Sequence, residues 1–214
     1  MNINSLLKLA HTFYVLAAST SEELPKNSKD QKIILKNIEQ LETFSARIKY
    51  AEKNLKRLSS GSSRIVFILP DETILKLAKN DRGIAQNKVE SNPKMTSKFL
   101  NKILGKAKNH SWINTNFLDK IKEKEFEKMT DINFKDFGEA IKYGLKNVSE
   151  SKKSKPKCFD HVSKSEVYKE LERLGDKFDL MPGDLARISS WGMKDNHPVL
   201  IDAGLTKEIF DEYY

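Results

Sequence analysis

The sequence predicts an α+β fold, with an antiparallel sheet early in the chain, helices after it and further helices before it. Three observations carry this. Apolar residues recur at three-to-four spacing over 32–58, at Ile34, Ile38, Leu41, Ile48 and Leu55, which is helical periodicity. From Gly61 the pattern changes to short β-branched and apolar runs broken by a turn, as strands require. After Lys120 the helical spacing returns.

Taken in order, residues 5–19 read as an amphipathic helix with Leu6, Leu9, Phe13 and Leu16 on one face. Lys8 and His11 interrupt its apolar stretch, which argues against a signal peptide. Residues 20–31 are polar, contain Pro25 and read as a linker. Residues 32–58 read as one long helix. Ser45 and Glu52 interrupt its apolar run, which favours packing on its own domain over a coiled-coil seam. Arg64–Leu69 and Thr73–Leu77 form a hairpin around Pro70-Asp71-Glu72. Asp81 is the expected N-cap of a helix ending at Glu90. Residues 97–107 read as helical or mixed, and Trp112–Leu118 as a strand. Lys120–Val148 reads as helical with a break near Thr130–Asn133, followed by a loop over 149–157. Ser165–Phe178 is a helix with Val167, Leu171 and Leu174 as its apolar stripe. Asp179–Trp191 is a loop, Pro198–Ile201 a short buried strand, and Leu205–Tyr214 a terminal helix or tail. Three units result: an N-terminal helical extension over 1–57, a sheet-rich unit over 58–119 and a mostly helical unit over 120–214.

At 214 residues the chain can build one good core with an appendage. The single cysteine, Cys158, excludes an intrachain disulfide and a multi-cysteine metal site. The histidines at 11, 110, 161 and 197 show no ligand spacing. The formal charge of +8 favours anionic partners. The lysines of 119–157 alternate with glutamates and no basic-aromatic motif is present, so nucleic acid is not expected among them. No apolar run approaches the roughly 18 residues of a membrane span, so no membrane partner is expected and the cytoplasm is the expected location.

Four short motifs carry candidate chemistry. The turn Ser59-Ser60-Gly61-Ser62-Ser63 can bring backbone N–H groups to phosphate oxygens, with the hydroxyls of Ser62 and Ser63 as further donors. A plain hairpin loop is the bland alternative. Lys76 interrupts the apolar run Ile74-Leu75-Lys76-Leu77-Ala78, and alternation puts it on one face with Ile74 and Ala78. An unpaired buried charge is costly, so Lys76 needs a partner, with Glu90 and phosphate oxygens as candidates; an edge-strand lysine is the alternative. Asp184, in Gly183-Asp184-Leu185, is a carboxylate in an irregular loop, able to accept a hydroxyl proton or orient a nucleophile. Asp202 follows Val199-Leu200-Ile201 and stands where a strand-end carboxylate can hold Mg²⁺. Asp followed by Ala203-Gly204 is also an ordinary turn opening.

In this order the motifs resemble the protein-kinase-like superfamily, in an atypical minimal branch. The turn at Gly61 is similar to a glycine-rich loop, although Ser59 and Arg64 stand at its other two glycine positions. Lys76 falls on the strand lysine, Glu90 on its helix partner, and Trp112–Asp119 on the strand leading to the hinge. Gly183-Asp184-Leu185 resembles a catalytic loop, and Asp202-Ala203-Gly204 the metal-binding motif. The run Leu58–Phe67 with the lysine strand also resembles kinase-like proteins of large tailed bacteriophages, which would place the protein in the host cytoplasm or in the virion.

The resemblance implies an N-lobe over 58–119 and a shortened C-lobe over 120–214. It implies ATP and Mg²⁺ as cofactors, with phosphates at Gly61, Ser62, Ser63, Lys76 and Glu90. The base would lie at Phe117, Leu118 and Asp119, the metal at Asp202 with Ser189, and Asp184 would be the catalytic residue. The pattern departs in three places. Pro182 precedes Gly183 where a histidine is usual. Ser189 stands where an asparagine binds metal. Ten residues follow Gly204, so the helices that hold a peptide substrate are expected to be missing. The leading expectation is an ATP- and Mg²⁺-dependent phosphotransferase acting on an unidentified substrate. The alternatives are a pseudokinase or binding module, with a protein partner at the N-terminal helices, and a basic interaction protein.

Overall fold

A computed structural model describes residues 28–145 and 154–214. The helix expected over 5–19 lies outside the described residues. The architecture is α+β: a five-stranded antiparallel sheet near the start, a three-stranded sheet later, and helices around both.

The described residues open with α1 (Ser28–Gln40) and α2 (Phe44–Asn54). One helix was expected here. The break comes at Thr43, whose hydroxyl accepts from the Ala46 N–H at 3.1 Å and caps a new helix, a stronger local choice than continuing the first. The second helix stops at Asn54, so the tail of the expected helix is instead β1 (Lys56–Ser60). The expected boundary at 57/58 therefore falls inside a strand.

β1 pairs with β2 (Arg64–Ile68) around the Gly61 turn, and β2 with β3 (Ile74–Ala78). β3 pairs in turn with β5 (Trp112–Thr115), and β4 (Ile103–Lys106) completes the order β1-β2-β3-β5-β4. β4 replaces the helical or mixed reading of 97–107. Both faces of β3 are buried. Leu75 and Leu77 join Ile65, Phe67 and Trp112, with Ile34 and Ile38 of α1, Ala51 of α2 and Leu55 just after α2, in one core. Strand alternation then sends Lys76 to the opposite face, where α3 (Asp81–Glu90) packs.

Helix α3 is placed by close contacts. Its N-cap is Asn80, whose side-chain oxygen accepts from the Gly83 N–H at 3.1 Å, so the expected cap at Asp81 sits one residue late. A Cβ on Gly83 would lie 2.2 Å from the Ser63 carbonyl oxygen and 3.0 Å from Ala78. Only glycine lets the helix sit this close to the hairpin. Its buried residues are Gly83, Gln86, Asn87 and Glu90, an inward face that is polar and therefore commits α3 to a polar site.

β6 (Asp119–Lys120) pairs with β7 (Trp191–Lys194), and β7 with β8 (His197–Leu200), in the second sheet. Between them lie α4 (Glu123–Thr130), α5 (Phe134–Gly144), α6 (Phe159–Val162) and α7 (Glu166–Phe178). The expected break near 130–133 is real: Asp131 ends α4 in the left-handed region and Asn133 caps α5. Phe126, Phe137 and Trp191 interlock edge-on or tilted, with ring centroids 5.0–5.7 Å apart, at the centre of a second core. Val167, Leu171 and Leu174 of α7 are buried in it, as their spacing predicts. α8 (Pro182–Leu185) and a 3-10 turn (Ile188–Ser190) follow α7, and α9 (Lys207–Tyr213) ends the chain.

Candidate functional site

Lys76, Glu90, Asp184 and Asp202 converge between the two sheets. Glu90, on the last turn of α3, pairs with the Lys76 ammonium and with Arg64, whose Nη1 lies 2.6 Å from Glu90 Oε2. The Arg64, Lys76 and Glu90 side chains are at most 8% exposed. Lys76 also donates to the backbone carbonyl of Ile201, which ties the central strand of the first sheet to the residue before Asp202. Arg64 donates through Nη1 to Asn87 Oδ1 at 3.3 Å and through Nη2 to Asp202 Oδ1. Two cations and two carboxylates thus interlock.

The segments carrying Asp184 and Asp202 are joined by main-chain bonds. The Met181 N–H donates to the Leu205 carbonyl at 3.0 Å, and the Lys207 N–H to the Asp179 carbonyl at 2.8 Å. The Ile201 N–H donates to the Ser190 carbonyl at 2.7 Å. Trp191 holds α8, which carries Asp184, on the core, since its indole N–H donates to the Leu185 carbonyl at 2.9 Å. Behind Asp202, a Cβ on Gly204 would lie 2.7 Å from the Gln86 carbonyl, so the loop runs against the α3 backbone. Arg82 of α3 stacks 4.3 Å from the Tyr214 ring centroid and continues this contact to the chain end.

The electrostatics divide the two aspartates. Burial pushes the Asp184 carboxyl up, and the Asp202 charge pushes it further, against Arg187 and Arg64. The surrounding protein also pushes the Asp202 carboxyl up, but Arg64 and then Lys76 outweigh this and hold it below the ordinary carboxylate value. Burial opposes the charge of Arg64, yet Asp202 and Glu90 raise its affinity for the proton overall. Asp184 and Asp202 therefore sense one another, with Asp202 ionised and Asp184 the more basic carboxylate, the character a general base needs.

The other expected residues are placed as follows. Gly61 makes the turn between β1 and β2, and its N–H donates to the Arg64 carbonyl at 2.8 Å. A Cβ there would meet the Arg64 carbonyl oxygen at an ordinary contact distance of 3.8 Å, so the glycine is not sterically required. The Lys79 ammonium donates to the Gly61 carbonyl at 2.9 Å, and the Asn80 amide to the Ser62 carbonyl at 3.2 Å. Ser62 is exposed at this turn, whereas Ser63 is buried and its hydroxyl donates to Gln86 Oε1 at 2.6 Å. Phe117 and Leu118 lie in the link from the first sheet to the second, and Asp119 opens β6. Phe117 is exposed, and a Cβ on Gly192 would lie 2.9 Å from Leu118 Cβ. Ser189 is exposed in the 3-10 turn.

Arg64 and Asn87 are site residues that the sequence reading did not select. Arg64 carried the same signal as Lys76: a charge in a strand that is otherwise apolar, Arg64-Ile65-Val66-Phe67-Ile68. The register pairs Arg64 with Ala78 and Val66 with Lys76, which sets both cations on the face covered by α3.

Magnesium takes close to six oxygen ligands at about 2.0–2.1 Å. The donor set fits it poorly. Asp202 already accepts from Arg64, the Lys76 ammonium is bonded to the adjacent carbonyl, and the hydroxyl expected to help is on exposed Ser189.

A cavity of about 610 Å³ lies elsewhere, lined by residues of 91–103 and of the β7–β8 hairpin, including Lys98, Lys102 and Lys194. It is the roomier space, but the groups that can move or hold a proton converge at Glu90, Asp184 and Asp202, whose charges pack against one another. No helix among the described residues is long and apolar enough to cross a membrane. Comparisons with protein-family models, curated proteins and solved structures find no match to this chain.

Proposed function

We propose that the chain is a kinase-like nucleotide-binding protein whose ligand is ATP or a related nucleotide. The observation that carries this is the Lys76–Glu90 pair, joined through Ile201 to the loop of Asp202. A strand lysine held by a helix glutamate is a fixed cation for phosphate oxygens, and phosphoryl transfer depends mainly on such positioning and charge. The Gly61 turn stands at the end of the same hairpin, and residues 117–119 offer backbone groups where the two sheets meet. In an active form Asp184 would accept the proton of the attacking hydroxyl.

A second reading is favoured by a specific contact. Arg64 occupies Oδ1 of the Asp202 carboxylate that a catalytic metal would need. This supports a pseudokinase, or nucleotide-dependent binding module, over an ATP- and Mg²⁺-dependent phosphotransferase. The partner would be a protein.

Two variants test the reading by equilibrium dialysis against radiolabelled ATP, with transfer of the γ-phosphate followed in parallel. Lys76→Met is expected to weaken binding by roughly tenfold, about 1.4 kcal/mol. Asp184→Asn is expected to keep binding while abolishing whatever transfer the wild type shows. Undiminished binding in Lys76→Met would remove the lysine from the site and the reading with it.

A further inference from the structure

We propose that Arg64 stands in for a divalent cation at Asp202, so that this site takes a nucleoside polyphosphate as its metal-free anion. The identity of the anion rests on the nucleotide reading above; the assignment of Arg64 does not. The guanidinium is pinned before it reaches Asp202. Its strand position is fixed opposite Ala78, and Nη1 is held by Asn87, which is fully buried, and by Glu90. This leaves Nη2 directed at Asp202 Oδ1. A guanidinium cannot be deprotonated in a protein and presents a rigid fork of donors, so it is a permanent positive charge at a fixed place.

The charges are already balanced without an ion. Arg64 and Lys76 face Glu90 and Asp202. A dication on Asp202 would approach two cations that share its carboxylate or the neighbouring carbonyl, and like charges at this range repel strongly in a partly desolvated site. Asp202 is nonetheless open, with 54% of its side chain exposed, so protein does not wall a metal off; Arg64 competes with it. Positive charge for a bare phosphate is available beside the cluster. Arg187, 64% exposed, stands 3.5 Å from Asp184, and Lys79 bonds the Gly61 turn.

Manganese alone, followed by electron paramagnetic resonance, separates this proposal from the nucleotide reading because no nucleotide is present. Wild type and Asp202→Asn are expected to bind it equally weakly. Arg64→Gln is expected to bind at least roughly tenfold more tightly, and Arg64→Gln/Asp202→Asn to lose the gain. Arg64→Lys, whose single ammonium cannot reach Glu90 and Asp202 together, serves if Arg64→Gln does not fold, with a smaller gain expected. Wild-type manganese binding that disappears in Asp202→Asn overturns the proposal. So does the lack of any gain in folded Arg64 variants. Titration with ADP in EDTA then tests the ligand: binding supports the metal-free anion, and binding only with added Mg²⁺ overturns it.

Discussion

Glu90 neutralises two buried cations at once, Arg64 and Lys76, and its replacement leaves them facing each other. Removing one partner of a buried ionic cluster costs about 3–5 kcal/mol. Glu90→Gln is therefore expected to lower the urea-derived stability by roughly 3 kcal/mol or more, and a loss below 1 kcal/mol would mean that the pairs contribute little. The two aspartates respond to pH in opposite senses. The Asp202 carboxyl is held below its ordinary value by Arg64 and Lys76. Its stabilisation is present above the unfolded-state value and is lost as pH falls through the folded one. Asp184 is pushed above its ordinary value, first by burial and then by Asp202. Its contribution is complete below the unfolded-state value and is lost as pH rises through the folded one. Asp184→Asn should accordingly melt higher than wild type at neutral pH, and the difference should vanish in acid. A variant destabilised at neutral pH would show that the ionised carboxylate is a structural ligand.

Helix α3 controls where Glu90 points, and two glycines control α3. With the Ser63 carbonyl only 2.2 Å from a Cβ at Gly83, Gly83→Ala must push the helix off the hairpin. Overpacking of this kind costs about 1–3 kcal/mol, and it should also weaken ATP binding, because Glu90 moves with the helix. Unchanged stability and affinity, measured by urea unfolding and calorimetry, would show that the backbone absorbs the methyl group. The helix, the β2–β3 hairpin and the breaks around Asp131 and Asn133 were legible because each is signalled within a few residues. Lys76 and Asp202 were legible because a charge stands out in or beside an apolar strand. β1 was not, since Lys56–Ser60 has every side chain exposed and shows no alternation of buried residues. Ser63 reads as a phosphate donor because local sequence cannot show that Gln86, 23 positions away, accepts its hydrogen bond. Arg64 stands at a glycine position of the pattern that the turn resembles, which hides its likeness to Lys76. Its partner Asp202 is 138 positions away, a distance at which only the fold can supply the pairing.

At the scale of the whole molecule, two cores among the described residues lie on either side of one polar seam. The first joins α1 and α2 to the large sheet and contains Trp112; the second contains Trp191. Lys76 to Ile201 and Arg64 to Asp202 cross the seam. These ties should make unfolding a single transition. Trp112→Phe and Trp191→Phe each leave one indole to report on one core, and helix content can be followed beside it. Each variant should show coincident fluorescence and circular-dichroism midpoints in urea. Separated midpoints would show that the cores unfold independently and that the seam is weak. The same seam is the proposed ligand site, and one measurement reaches it most directly: thermal melting of the full chain with ATP in EDTA, beside ATP with Mg²⁺ and beside Lys76→Met. Ligand at a hundred times its dissociation constant adds about 2.7 kcal/mol. The prediction is a clear rise in Tm that does not require Mg²⁺ and is largely lost in Lys76→Met. No rise at millimolar ATP in either condition would contradict it and leave the charged cluster as a structural tie between the two cores.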